Sequence, residues 1–447
     1  MFRHLPALLK LAGPMILSSS MVTLMQLVDA IVLSHHSSAA VAAMGPSSMA
    51  VILVQGLLFG TSGYAGTFVA HHHGAEDAAG VRHATWLGIH VSWISGILAL
   101  ALAWPLGSLF LFAGHAPEVA RQERIYSVVC LAGSVFPCLN TALAGWLSGI
   151  GKTKIVTVVS LAGFLVNAFL AWGLVLGRWG MPRLGIGGAA LATVTAQAVS
   201  SILFLALFAR SGEVSDHEAR RFDLVGMRRF LRLALPMGLR ITGEVVAWTF
   251  FLIFLGRLGT SELAASSIAF RINGTAFFPA MGLGQAAGIL VGQSRGAGRD
   301  DDVPSICWQS MAVCEVWMLC LSLAFLLAAG PLVSIFSPPG PEGIRILALG
   351  TVILRFVAFY CLFDAANVVA GCVLAAAGDT AWVARAFFIG SAAFLSSLWI
   401  VDRFRPSLEL EWTLATVFVL STAVAWTQRF RGGAWRTIRV LEPLPEP

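Results

Sequence analysis

Apolar residues in this chain come in long unbroken runs rather than in alternation. The runs occupy residues 11–34, 47–70, 85–113, 125–148, 155–177, 186–209, 231–256, 263–291, 306–330, 346–370, 383–401 and 409–427, with short charged or turn-forming clusters between them. A helix of about 20 apolar residues crosses a hydrocarbon core of ~30 Å, so the pattern predicts twelve transmembrane helices. The eleventh run is the shortest, and Arg385 stands near its start. Spanning strands would read as segments of about ten residues with alternating polarity. The predicted class is therefore an all-α integral membrane protein.

Composition agrees with the pattern. Of 447 residues, 57% are hydrophobic and only 12% charged, with a mean hydropathy of +0.81. Soluble domains carry about 25% charged residues, which excludes an ordinary water-soluble fold. Met1–Lys10 runs straight into the first apolar segment, which is too long for a signal-peptide core and has no small-residue cleavage site after it. The seven cysteines lie mostly inside apolar runs without a Cys-x-x-Cys pair, and read as packing residues rather than metal or disulfide partners.

The net charge of +6 takes its meaning from where the basic residues fall, and calls for no nucleic-acid partner. With the N-terminus on one side, eighteen Lys and Arg fall on that side and eight on the other. Arg240, Arg271 and Arg355 lie within spans. Cytoplasmic loops carry the Lys/Arg excess, so both termini are expected in the cytoplasm.

The longest polar stretch, Ser211–Arg229, separates six runs from six. A shift of 222 residues lays Leu9-Lys10-Leu11-Ala12-x-Pro14-Met15 on Leu231-Arg232-Leu233-Ala234-x-Pro236-Met237. The same shift matches Val69, Gly74, Ala75, Val81 and Trp86 to Val291, Gly296, Ala297, Val303 and Trp308. Further on, a shift of 227 aligns Asn140, Gly151 and Thr153 with Asn367, Gly378 and Thr380. Two apolar sequences matched by chance would not recover loop residues such as Gly74 and Gly296, so the chain reads as a duplication. Six spans per copy is even, so the copies are parallel repeats with the substrate path expected between them.

Ionisable groups inside spans cost about 2.5–3.5 kcal/mol each when they face lipid, and are functional candidates for that reason. Here they are Asp29, Arg240, Glu244, Arg271, Glu315, Arg355 and Asp364. Asp29 has no basic residue within helical reach. Arg240 and Glu244 stand one turn apart, so a structural ion pair is an equal alternative to function there. Tyr360 and Asp364 share a helix face and offer a phenol oxygen and a carboxylate to one small cation. Glu315 reads as a neighbour-helix contact, and Arg355 as a side chain reaching for the interface. Gln55, Asn140, Asn167, Gln197, Asn273, Gln285 and Asn367 add neutral polar groups, for which interhelical hydrogen bonding is the commoner role.

Other signals carry less. His71-His72-His73 cannot all face one ion on a regular element and reads as a loop. The glycine-rich runs Gly56–Gly66 and Gly282–Gly292 lack the Gly-Lys-Ser/Thr of a phosphate loop, and read as close helix packing. No nucleotide-binding motif is present, so no cofactor is expected and active transport would draw on an ion gradient.

Taken in order, several segments resemble the multidrug and toxic compound extrusion (MATE) family over nearly the whole chain. They are Leu11-Ala12-Gly13-Pro14 leading to Val28-Asp29, the glycine-rich Leu184–Thr193, and Leu233-Ala234-Leu235-Pro236 with Glu244 eight residues on. Leu255-Gly256-Arg257-Leu258-Gly259-Thr260, Gly282-Leu283-Gly284-Gln285-Ala286-Ala287 and Val291-Gly292-Gln293 complete the set. The resemblance implies two pseudo-symmetric six-helix bundles around a V-shaped central cleft. It divides the chain into an N-lobe (1–210), a cytoplasmic connecting loop (211–229), a C-lobe (230–430) and a cytoplasmic tail (431–447).

It also implies a monomeric carrier in the bacterial inner membrane, surrounded by lipid, exporting small organic cations against inward H⁺ or Na⁺. In the similar NorM-type branch, cation binding belongs to a span-7 glutamate and a span-10 aspartate. Glu244 and Asp364 look like those positions, with Tyr360 one turn before the aspartate. Asp29 resembles the span-1 aspartate of coupling, and Asn167 the span-5 asparagine. Gln55, Gln285, Arg240 and Arg271 are expected to line the cleft. Two features depart from the family pattern: Ala171 stands where relatives often carry Asp or Asn, and Arg240 and Arg271 bring positive charge. The second feature keeps open an exporter or flippase of a lipid-linked or anionic substrate.

Overall fold

The computed structural model describes residues 3–112, 114–211 and 217–441. Among them there is no strand. With no water in a bilayer core, every backbone polar group must be satisfied within its own segment, and a helix does this for every apolar run.

The first half holds α1 (Leu5–Ser34), α2 (Ser38–Gly63), α3 (Ala65–Gly74), α4 (Ala78–Leu109), α5 (Pro117–Ala132), α6 (Val135–Gly149), α7 (Thr153–Leu176) and α8 (Ile186–Arg210). A single turn, α9 (His217–Arg220), precedes α10 (Leu224–Leu258), α11 (Thr260–Gly296), α12 (Asp302–Leu327), α13 (Ala329–Ser334), α14 (Pro341–Ala376), α15 (Thr380–Phe404) and α16 (Leu408–Arg431). Among the described residues, ten stretches are long and apolar enough to cross a membrane, with α2 and α3 counted as one. Two more arise if each bent pair is one span: α5 with α6, and Thr260–Gly274 with Ala276–Gly296, both bent by 44°. These are the twelve runs of the sequence, including the short eleventh, which is α15.

Local chemistry sets the ends. Ser37 caps α2 by accepting the Ala40 N–H, and Asp77 caps α4 by accepting the Gly80 N–H at 2.8 Å. Gly177 closes α7 in the left-handed region at φ +72°, a conformation a Cβ would strain. The histidine triplet corrects the loop expected there. His71, His72 and His73 form the last turn of α3, because His71 is buried and the His72 Nδ1 and Asp77 Oδ2 lie 2.8 Å apart at the helix exit.

The duplication is visible in the hydrogen bonds. The Asn140 side-chain amide donates to the Gln197 carbonyl at 3.0 Å, and that of Asn367 to the Val419 carbonyl at 2.9 Å. Gln197 and Val419 are themselves 222 residues apart, so each copy ties its fourth span to its sixth at the same place. The turns before α7 and α15 both pass through a positive-φ glycine, Gly151 at +81° and Gly378 at +92°.

Packing divides the chain into two compact units. The first comprises Leu17–Thr242 with Gly296–Gly298, and the second Met1–Ile16, Gly243–Arg295 and Arg299–Pro447. One boundary between the units falls within α10, between Thr242 and Gly243. Glycine contacts give the physical reason. A Cβ on Gly60 would stand 2.6 Å from the Gly238 Cα, which holds this part of α10 against α2 in the first unit. In the second unit, a Cβ on Gly282 would stand 2.5 Å from the Ile16 side chain. Small residues permit this closeness between membrane helices.

The described part of the expected tail packs as well. Trp435 is buried and stacks on Phe430, while Arg295 donates to the carbonyls of Ala377 and Ile438 at 2.6 and 2.8 Å.

Candidate functional site

In the first unit a cavity of about 470 Å³ opens among α1, α2, α5, α6, α7 and α8. Asp29 lines it, together with Gln55, Tyr126, Asn140, Thr193 and Gln197. Asp29 is only 3% exposed. It is held by a neutral chain of donors: the Thr193 hydroxyl donates to Asp29 Oδ2 at 3.0 Å, and the Asn167 amide donates to Thr193 Oγ1 at 3.3 Å. Among the described residues, the other carboxyl oxygen, Asp29 Oδ1, has no hydrogen-bond partner, and neither has Asn167 Oδ1. Asp29 enters no ion pair among the described residues. Two buried oxygens are thus left unpaired within one hydrogen-bonded trio. Burying a polar atom without a partner costs about 1–3 kcal/mol, which a proton or small cation bound there would relieve.

Around this trio the cavity is mostly apolar, and two of its amides bond to neighbouring segments. Gln55 donates to Ser134 Oγ at 3.0 Å, and Asn140 to Gln197 Oε1 at 2.6 Å. Ala171, one turn beyond Asn167, is fully buried.

The second unit holds a different constellation. Asp364 sits half-buried on α14, accepting from the Asn367 amide at 3.3 Å. Glu244 on α10 lies within electrostatic reach of it. Tyr360, one turn before Asp364, is 3% exposed, and its hydroxyl accepts from the Asn273 amide on α11 at 3.1 Å. Cys361 donates to Asn273 Oδ1 at 3.7 Å. Three helices therefore bring two carboxyl groups, a phenol and two amides together.

The expected site residues thus separate by unit. Asp29 and Asn167 meet in the first through Thr193, with Gln55 on the same cavity wall. Glu244, Asp364 and Tyr360 meet in the second. Gln285 and Arg271 are both exposed on α11. Arg240 is half-buried in the first unit and is not among the residues lining the cavity. Thr193 and Tyr126 carry no signal in the sequence by themselves, because a hydroxyl inside a span usually satisfies its own helix.

Duplicated helical bundles with acids in their interiors make this a polytopic membrane protein. The MatE family model matches residues 14–172 and 236–396, one stretch in each half. A protein of Pseudomonas putida named probable multidrug resistance protein NorM is 31% identical over 376 residues, which cover 82% of this chain and 80% of that one. A protein of the same name from Pseudomonas syringae pv. tomato is 26% identical and covers 98% of this chain and 96% of its own.

Among solved structures, the outward-facing conformation of a multidrug resistance MATE family transporter of the MOP superfamily aligns with a TM-score of 0.86 at 21% identity. The alignment covers 97% of this chain and 96% of that one. A MOP-superfamily transporter from Pyrococcus furiosus, reported with reverse polarity of its binding pocket, aligns at 0.84 with 20% identity over 97% and 96% of the two chains. The chain belongs to the MATE family, which is a family of membrane transporters and not of enzymes.

Proposed function

We propose that this protein is a cation-coupled antiporter that exports small organic cations by alternating access, using H⁺ or Na⁺ moving inward. One observation carries the reading: Asp29 is buried at the wall of a largely apolar cavity of about 470 Å³, held by neutral groups only, with one carboxyl oxygen unpaired. Such a group binds a positive charge and releases it when a competing one arrives. A cavity of this size, mostly apolar with a few convergent polar groups, suits a drug-sized ligand. Glu244 with Asp364 forms a second acidic site, with Tyr360 and Asn273 beside it.

In this mechanism, neutralisation of the acids from outside by H⁺ or Na⁺ expels the organic cation, and their release to the cytoplasm resets the carrier. The names of the NorM relatives support multidrug efflux, and the Lys/Arg asymmetry supports cytoplasmic termini in a bacterial inner membrane. Reconstitution into liposomes tests the proposal, with Na⁺ and pH gradients imposed separately while a fluorescent cationic dye is followed. Efflux should require one of the two gradients and should vanish in Asp364→Asn while the variant still folds and inserts. Dye movement indifferent to both gradients sinks the reading. Translocation of a lipid-linked precursor in place of dye would favour an anionic substrate, the alternative that Arg240 and Arg271 support.

A further inference from the structure

Two glutamates of this protein are completely buried near the ends of spans, and they are treated very differently. Glu123, on α5 in the first unit, is 0% exposed and fully paired: the His115 ring nitrogen Nδ1 lies 3.0 and 2.9 Å from its two carboxyl oxygens. Glu411, in the first turns of α16 in the second unit, is also 0% exposed, yet among the described residues neither of its carboxyl oxygens has a hydrogen-bond partner.

Two ion pairs occupy that end of the second unit, where Arg403 and Arg405 stand exposed. Arg257 on α10 donates to Asp402 on α15 at 2.7 Å, and Arg345 on α14 donates to Glu262 on α11 at 2.6 Å. Asp402 is the charged neighbour acting on Glu411, and its sign is the wrong one for pairing. Trp412, next in the chain, directs its indole N–H to Ser266 Oγ at 3.3 Å.

An acid in the first turn of a helix favours the positive end of the helix dipole, but that task is performed by other residues here. Ser407 is the N-cap, and its hydroxyl bonds the Glu409 carboxylate at 2.7 Å. The internal duplication supplies a control. The residue 222 positions before Glu411 is Ala189, on α8, and it is also 0% exposed. The same place in the other copy is packed without an acid, so the scaffold does not require one. A bare ionised carboxylate in such a place has lost its water and gained nothing in return. Among the described residues, no group of three or more His, Cys, Asp or Glu side chains could hold a metal ion.

We propose that Glu411 is a proton-binding site of the second unit, separate from Glu244 and Asp364, and loaded from the α15–α16 end. Loading forms one O–H bond on the carboxylate with a proton taken from hydronium, which leaves as water. Release returns the proton to water. Loading takes the side chain from −1 to neutral, so the occupied state matches the dry packing around it. Asp402, ion-paired to Arg257 at the same end, marks the polar edge from which the proton arrives.

Infrared spectroscopy of the full-length protein, comparing wild type with E411Q at neutral pH, tests the assignment without requiring transport. The expected result is the loss of one protonated-carboxyl stretching band in E411Q, with no change in melting temperature. An unchanged set of carboxyl bands overturns the proposal. An E411Q protein that fails to fold moves the test to E411A, because an amide buries two N–H donors where a protonated carboxyl buries one O–H. E411A, which copies the residue of the other repeat, should also insert and should lack the same band. The functional arm rests on the antiport reading: the pH dependence of dye efflux should flatten in E411Q. Failure of efflux in the wild type would count against antiport alone and leave the spectroscopic result standing.

Discussion

The two units share a frame and differ in chemistry. In the first, Asp29, Asn167 and Thr193 form a polar trio beside a cavity. The corresponding positions of the second, by the shifts of 222, 227 and 222, are Phe251, Phe394 and Ala415. Phe251 and Phe394 stand 5.7 Å apart between ring centroids, and Trp412 closes on Phe251 at 5.2 Å. Where one unit keeps a charge, the other has filled the space with aromatic rings.

The reverse also holds. Glu244, Tyr360 and Asp364 of the second unit correspond to Val22, Gly133 and Pro137, which line the cavity of the first as apolar walls. Meanwhile the Asn140 and Asn367 ties and the turns at Gly151 and Gly378 remain alike in both. Duplication preserved the contacts that hold helices in place and released the interior positions to diverge.

Substitutions can break or sharpen this contrast. The largest effect is expected from neutralising the acids one unit at a time. Asp29→Asn and Asp364→Asn should each abolish gradient-driven dye efflux, measured in proteoliposomes, while leaving the folded protein in the membrane. If only one of the two matters, coupling belongs to that unit alone.

Next comes the aromatic fill. Phe251→Ala empties a fully buried site and should cost about 3–5 kcal/mol of stability, read as a lowered melting temperature in detergent. A mild loss would show that the second unit closes over the gap.

Smaller effects follow at single hydrogen bonds. Thr193→Val removes the donor to Asp29 Oδ2 and should destabilise by about 1 kcal/mol, while changing the ion dependence of efflux more than its maximal rate. The helix cap at Asp77 lies outside the spans. Burial pushes its carboxyl up, but the Gly80 N–H and the His72 contact outweigh this and hold it below the usual carboxylate range. A depressed carboxyl stabilises above its unfolded value and loses that contribution as pH falls through the folded one. Asp77→Asn should therefore flatten the acid limb of a stability profile. Smallest of all, Asn140→Ala and Asn367→Ala should each cost about 0.6 kcal/mol. Equal costs would support the shared frame, and unequal ones would show that the copies carry different loads.

Much of the fold was legible because a bilayer leaves the backbone few options. A run of about twenty apolar residues has to become a helix, so α7, α8 and α15 are placed by composition alone. The duplication was legible for a similar reason, since Gly74, Gly151 and their counterparts occupy turns that little else fits. Of the candidate site, the acids were visible as charges that have no business in lipid. Their partners were not, because a hydroxyl such as Thr193 or an amide such as Asn273 costs little in a span and betrays no role. Glu123 and Glu411 escaped notice at helix ends, where an acid is ordinary.

The sequence by itself determined that this chain crosses the membrane as a duplicated set of helices, since hydropathy and internal repetition depend only on the order of residues. Tertiary structure decided which polar groups meet: Asp29 with Thr193 and Asn167, Tyr360 with Asn273, Glu411 with nothing. It also assigned the first sixteen residues to the second unit and residues 224–242 to the first. Those outcomes depend on how closely helices distant in sequence approach one another, which glycines such as Gly60 and Gly282 permit but only the packed chain reveals.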